Sequence, residues 1–287
     1  MDKFYIITNS IKDPQLETTL FVKEYLESRG KSCMIQENDR KGSKSSYKYT
    51  DASLIPRDVD CVLVMGGDGT LLQASRDLLE MEVPLLGINM GTLGYLAEVD
   101  QANIKPALDK LLAGDYKIVS RMMLEGEAYH QGKMILKDSA LNDIVIGRNG
   151  RLRVIDFSIY VNGEFLNSYS ADGIVIATPT GSTGYSLSVG GPIVSPEASL
   201  ILLSPIAAHT LNSRSIILPD DAEITIEILP RHSGMDDGSE ANFDGDTSIR
   251  LACGDRVVIR KAVKRTKLIK INEISFLEVL RKKMSGQ

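Results

Sequence analysis

The sequence predicts a doubly wound α/β N-terminal domain followed by a β-rich C-terminal domain. Three observations carry that reading. Apolar runs alternate with helix-period segments from Phe4 to Leu112, the pattern of a parallel sheet with helices on its faces. Two of those runs, residues 61–65 and 83–88, end in glycine-rich turns, as strands do at the ligand-binding edge of an α/β sheet. Beyond residue 120 the texture changes to short strands separated by Asn-Gly and other glycine turns. A chain of 287 residues, 43% hydrophobic and 25% charged, has the length and composition for two globular domains. The boundary is expected between Lys117 and Arg121, giving domains 1–119 and 120–270 and a terminal helix in 271–287.

Taken in order, residues 4–8 form a short strand that ends at Asn9 and Ser10. Leu16, Leu20, Val22, Tyr25 and Leu26 recur at helical spacing until Arg29-Gly30, a C-terminal stop. Residues 32–36 read as a second strand, and the polar stretch 37–51 as a solvated connector. After the strand 61–65, Leu71, Leu72, Ser75, Leu78 and Leu79 continue a helix. Residues 83–88 give the next strand and 104–112 the next helix, closed by Ala113-Gly114-Asp115. In the second half 122–129, 133–136, 140–147, 154–161, 173–177, 215–218, 223–229 and 256–261 read as strands. Asn149-Gly150 and Asn162-Gly163 are both hairpin signals. Residues 274–280 form an amphipathic helix with Arg281, Lys282 and Lys283 in its last turn, where cations complement the helix dipole.

Composition narrows the setting. A net charge of −5 gives no case for nucleic acid as a partner. Cys33, Cys61 and Cys253 have neither zinc spacing nor a disulfide framework, so a reducing cytoplasm is expected. No apolar run is long enough to span a bilayer, and the N-terminus lacks a signal peptide's apolar stretch, so no membrane is expected as a partner.

The chemistry gathers in two places. Gly66-Gly67-Asp68-Gly69-Thr70 sets one carboxylate among glycines at the end of a strand and the start of a helix, where backbone N–H groups and the helix dipole favour phosphate. The structural alternative is a tight turn with a capping Asp or Thr. In the second half, a strand ending at Ala177 runs into Thr178-Pro179-Thr180-Gly181-Ser182-Thr183-Gly184-Tyr185-Ser186. Its hydroxyls and amides suit ribose and phosphate, and Tyr185 offers a ring face and a hydroxyl. Asn142-Asp143 opens a strand; His209 has no sequence-near carboxylate or second histidine; Asp236-Asp237 and Asp244-Gly245-Asp246 lack calcium-loop spacing and read as turns, with substrate contact as the lesser alternative. Nucleophile elbows, zinc helices, Walker loops and the three-glycine dinucleotide fingerprint are absent. That argues against an ordinary dehydrogenase.

Two motifs together resemble a known family. The segment 66–70 looks like the phosphate-handling signature shared by NAD kinases, diacylglycerol and sphingosine kinases and, more loosely, 6-phosphofructokinases. The segment 172–193 is similar to the more specific NAD kinase signature, and the likeness runs in order from Val62 to Pro219 through Asn89, Asn142-Asp143 and His209. The resemblance implies phosphorylation of NAD at the 2′-hydroxyl of its adenosine ribose, with ATP, another nucleoside triphosphate or polyphosphate as donor and Mg²⁺ or another divalent metal present. It also implies a Rossmann-like α/β domain, a β-rich second domain, a last helix that returns to the first domain, and a homodimer or homotetramer.

By the same resemblance Asp68 takes or orients the proton of the 2′-hydroxyl, while Gly66, Gly67, Gly69 and Thr70 hold donor phosphates. Asn142, Asp143, Asp172, Thr183, Gly184, Tyr185 and Ser186 are expected to bind NAD, with Asn89 and His209 as further candidates and no dedicated metal ligands. Asp143 stands where many members carry Glu, and Gly184 where many carry Ala. A lipid kinase with the same glycine turn, or a regulatory module that holds NAD or NADP without turnover, are the competing readings.

Overall fold

The structure, a computed structural model, describes every residue except 37–49, 92–93, 151–153, 209–213, 231–237, 273 and 286–287. The chain divides into two compact units, Met1–Arg121 with Lys264–Gln287, and Met122–Val263.

The first unit opens with β1 (Lys3–Thr8), α1 (Glu17–Ser28) and β2 (Ser32–Ile35). It continues with β3 (Cys61–Gly66), α2 (Asp68–Asp77), β4 (Leu85–Asn89), β5 (Val99–Asp100), α3 (Ile104–Ala113) and β6 (Lys117–Arg121). β2, β1, β3 and β4 lie side by side and parallel. β3 and β4 are buried at every position because helices cover both faces of the sheet. Phe4, Ile6, Leu63 and Met65 pack with Val22 and Leu26 of α1 and Leu108 of α3. Tyr5, Ile7, Val62 and Val64 pack with Leu71 and Ala74 of α2, and with Leu78 just beyond it, on the opposite face. The path from β1 crosses to β2 and that from β3 crosses the other way to β4, so the strand order reverses between β1 and β3.

The second unit comprises β7 (Leu124–His130), β8 (Lys133–Ala140), β9 (Asp143–Arg148), β10 (Ile155–Val161), β11 (Glu164–Ala171) and β12 (Gly173–Ala177). After the short α4 (Tyr185–Ser188) come β13 (Leu200–Ile206), β14 (Ile216–Pro219), β15 (Ile224–Ile228), β16 (Ser239–Phe243), β17 (Thr247–Leu251) and β18 (Arg256–Lys261). They form two six-stranded sheets, ordered β11-β10-β15-β18-β7-β8 and β14-β13-β12-β9-β16-β17. The sheets share one apolar core in which Phe157, Ile159, Ile224 and Ile259 meet Ile144, Ile174, Ile176 and Phe243. On the second sheet's other face, Val175, Ala177 and Leu202 are covered by Val189 and Val194 of the segment after β12.

The two hairpin signals part ways here. Asn162 and Gly163, at φ 52° and 79°, join β10 to β11 as the expected two-residue turn. Around Asn149-Gly150 there is no hairpin: β9 pairs with β12 and β16, whereas β10 pairs with β11 and β15 in the other sheet. An Asn-Gly dipeptide fixes a local turn, and the sheet joined by the following strand depends on distant partners.

The chain ends in the first unit with β19 (Thr266–Lys270) and α5 (Phe276–Met284). β19, placed by its position in sequence with the second domain, pairs parallel with β4 and antiparallel with β6. Asn272 then anchors the chain beside β5, its amide N–H donating to Glu98 Oε1 at 2.9 Å and its Nδ2 to Glu98 O at 3.0 Å. Burial pushes the Glu98 carboxyl up from its ordinary value. Ser275 caps α5 through the Glu278 amide at 3.2 Å, and Lys283 lies 5.6 Å from the centre of the Tyr95 ring.

Candidate functional site

In the first unit the site begins at the turn between β3 and α2. Asp68 is the first residue of α2. Its carboxylate accepts three amide hydrogen bonds: Tyr95 N donates to Oδ2 at 2.7 Å, and Leu96 N and Ala97 N donate to Oδ1 at 3.2 and 3.3 Å. These charge-assisted bonds tie the turn after β3 to the chain beyond β4 and fix the carboxylate's direction. Gly94 is what admits the approach, since a Cβ there would fall on the Asp68 carboxylate. Thr70 is buried, and its hydroxyl accepts from Gly67 N at 3.4 Å and Asn9 Nδ2 at 3.2 Å. Its side chain therefore locks the turn from inside. Gly66 pairs with Asn89 across β3 and β4, so both glycine-rich turns leave the same edge of the sheet.

In the second unit Asn142, Asp143, Gly184 and Tyr185 come together. A Cβ at Gly184 would lie 3.3 Å from Asn142 Nδ2 and 3.5 Å from Asp143 Oδ2. The Tyr185 amide donates to the Asp143 carboxyl, and the Tyr185 side chain is exposed. Beneath them Thr178 N donates to Asn142 O at 2.9 Å and its hydroxyl to Leu141 O at 2.6 Å. The hydroxyl in turn accepts from Gly181 N at 3.0 Å. Burial, reinforced by the Asp244 carboxylate, pushes the Asp143 carboxyl up to about 7, against the smaller opposing pull of the Tyr185 amide.

Asp244 has a role that sequence reasoning did not assign. Read as a turn residue, it has φ 51° and accepts from Leu141 N and Asn142 N at 2.8 Å and from Asp143 N at 3.1 Å. It thus holds the whole Asn142-Asp143 backbone. Its one signal was the Asp-Gly pair, which also marks ordinary turns.

The other expected residues lie elsewhere. Thr183 donates its hydroxyl to Thr180 O at 3.3 Å, within its own turn. Ser186 is fully buried, 3.3 Å from Ser204 Oγ, which is 2.9 Å from Ser215 Oγ. Asp172 precedes β12, whereas Asp143 pairs with Ala177 at the opposite end. Five residues of strand separate the two ends by about 17 Å at ~3.4 Å per residue. There Asp172 pairs with Arg148, Nε to Oδ1 at 3.0 Å. Asn89 is buried at the end of β4 and accepts from Gly91 N at 3.0 Å. His209 lies outside the described residues. Among the described residues no group of three His, Cys, Asp or Glu converges as a metal cluster, and no helix is long and apolar enough to cross a membrane.

An α/β unit with a carboxylate fixed in a glycine turn, and a β unit presenting an Asn-Asp pair beneath a Gly-Tyr step, have groups suited to phosphate and ribose. Residues 4–116 match the family model of the ATP-NAD kinase N-terminal domain, and residues 141–271 that of the ATP-NAD kinase C-terminal domain. The chain belongs to the NAD kinase family. It is 47% identical to an NAD kinase of Lachnospira eligens, covering 99% of this chain and 100% of that protein. It is also 47% identical to an NAD kinase of Agathobacter rectalis, covering 100% and 99%. Among solved structures, yeast NADH kinase complexed with NADH superposes with a TM-score of 0.84 at 26% identity, covering 99% of this chain and 88% of that one. An Archaeoglobus fulgidus NAD kinase in complex with ATP shares the fold, with a TM-score of 0.73 at 20% identity and full coverage of both chains. None of these likenesses supports a lipid kinase or a non-catalytic nucleotide-binding module.

Proposed function

We propose that the protein transfers the terminal phosphoryl group of ATP to the 2′-hydroxyl of the adenosine ribose of NAD, releasing NADP and ADP. The observation that carries the mechanism is the hydrogen bonding of Asp68. A carboxylate offers about four acceptor sites; three are used by Tyr95, Leu96 and Ala97. Among the described residues Oδ2 accepts only the Tyr95 amide, which leaves it a lone pair for the hydroxyl proton. As the O2′–P bond forms and the bond from the γ-phosphorus to the bridging oxygen breaks, the proton passes to Asp68 Oδ2 and ADP leaves with the bridging oxygen. The N-terminus of α2, from Asp68 to Thr70, favours the phosphate oxygens, and the Gly67 amide, which donates to the Thr70 hydroxyl, holds the turn beneath them. Mg²⁺ or another divalent ion bound to the donor's phosphates would neutralise their charge, a role that needs no all-protein cage.

For the dinucleotide, Asn142 supplies donor and acceptor atoms, Asp143 accepts from ribose hydroxyls, and the Tyr185 ring offers a stacking face. Gly184 keeps that corner open. Asp172, held by Arg148, contacts a separate part of the ligand. The free thiols Cys33, Cys61 and Cys253 fit a cytoplasmic setting, and a homodimer or homotetramer is the assembly expected from the sequence motifs.

Incubation with Mg²⁺, NAD or NADH, and ATP, another triphosphate or polyphosphate tests the reading, with the product assayed by an NADP-specific dehydrogenase after reoxidation where needed. Formation of NADP or NADPH supports it. No product with any donor overturns it.

A further inference from the structure

The reversal of strand order between β1 and β3 places the carboxyl ends of those strands at the position where α/β sheets take phosphate-bearing ligands. The segment leaving β1 is anchored there at both ends. Asn9 N donates to Met65 O at 2.9 Å, and Asn9 Oδ1 accepts from Ile11 N and Lys12 N at 3.0 and 3.3 Å. Just beyond, the buried Asp13 carboxylate accepts from the Thr19 amide at 2.9 Å and its hydroxyl at 2.7 Å. Lys12 sits between the anchors, and its ammonium stands over both glycine turns. Nζ is 2.7 Å from where a Cβ at Gly67 would lie, and 3.4 Å from that of Gly91. Among the described residues no carboxylate pairs with it.

A second observation at the same turn points to an acceptor. Asn89 is 2% exposed, and its Oδ1 is engaged by the Gly91 amide. Its Nδ2 is buried and has no hydrogen-bond partner among the described residues. An ammonium with three donors stands over two glycines where two strands end, and an unpartnered amide donor lies two residues before Gly91. That donor set matches phosphate oxygens.

We propose that Lys12 binds the triphosphate of the phosphoryl donor, its ammonium pairing with phosphate oxygens over Gly67 and Gly91. The proposal rests on the kinase reading for the identity of the ligand, and the position of the cation stands without it. A methyl at residue 67 would shift the ammonium from this position.

The test compares the wild-type protein with Lys12→Met and Lys12→Arg by calorimetric titration with inorganic tripolyphosphate and by steady-state kinetics with ATP and NAD. In Lys12→Met the tripolyphosphate Kd and the KM for ATP are expected to rise about tenfold or more, the loss of one charge-assisted contact. The KM for NAD and the melting temperature stay unchanged, because Lys12 is exposed, and Lys12→Arg recovers part of the loss. Unchanged tripolyphosphate affinity and ATP KM in Lys12→Met overturn the proposal, as does a rise confined to the NAD KM. If the wild type forms no product yet binds tripolyphosphate in a Lys12-dependent way, the kinase reading fails and the anion site at Lys12 stands.

Discussion

Asp68 shows how a carboxylate in a glycine turn becomes more than a helix cap. Three amides from residues 95–97 fix its plane and, among the described residues, leave one acceptor site. Asp68→Asn keeps the shape and removes the charge, so turnover is expected to fall by roughly 10²–10⁴-fold, the range for a lost general base, with NAD binding kept; titration calorimetry and steady-state rates measure both. Gly94→Ala attacks the same carboxylate from the other side, because the new methyl would occupy its position. It is expected to reduce kcat about as far as Asp68→Asn, while circular dichroism still reports a folded chain. Asp143 gives a pH-dependent prediction. Its carboxyl sits at about 7 in the folded protein, above the ~3.9 of an unfolded chain. Between those values the folded state holds a proton that the unfolded state has lost, so this group's contribution to stability falls as pH rises and is fully lost above about 7. Asp143→Asn is therefore expected to melt several degrees above wild type at pH 8, and the gap to narrow by pH 5 in thermal scans. A gap that is constant with pH would refute the assignment.

At the scale of elements, the turn 178–184 depends on its fit to the loop that opens β9. A Cβ at Gly181 would meet the Asn142 backbone carbonyl, carbon and Cα, none of which can rotate away as a side chain would. Gly181→Ala is expected to cost ~2 kcal/mol or more, in the range of core overpacking, and to raise the KM for NAD. Gly184→Ala meets its neighbours at 3.2 to 3.5 Å and should shift both far less; denaturant melts and NAD saturation curves distinguish the two. Elements with a strong local signature were legible in the sequence. The runs of β3 and β4, the period of α1 and α3, and the Asn162-Gly163 hairpin all follow from side-chain pattern. β11, β13, β16, β17 and β19 were not read as strands from sequence; in β16 and β17 small and polar side chains blur the apolar alternation that their burial follows.

For the whole molecule, the chain leaves the first unit at Arg121 and re-enters it at Lys264. β19 lies between β4 and β6, so a chain ending at Val263 would lack the strand that joins β6 to the sheet. That truncation is expected to lose the first unit's cooperative melting transition. A chain ending at Asn272 keeps β19, removes only α5 and retains the transition; circular dichroism and calorimetric scans of both would show it. Local periodicity and residue type specify the α/β start, the β-rich continuation, the glycine turn with Asp68 and the Asn142-Asp143 and Gly184-Tyr185 motifs. Folding alone brings Asp244 to the Asn142-Asp143 amides, Gly94 against Asp68, β19 into the first sheet and Lys12 over the glycines. Each of those contacts joins residues far apart in the chain or on different strands, and its geometry exists only once the sheets have fixed which strands are neighbours.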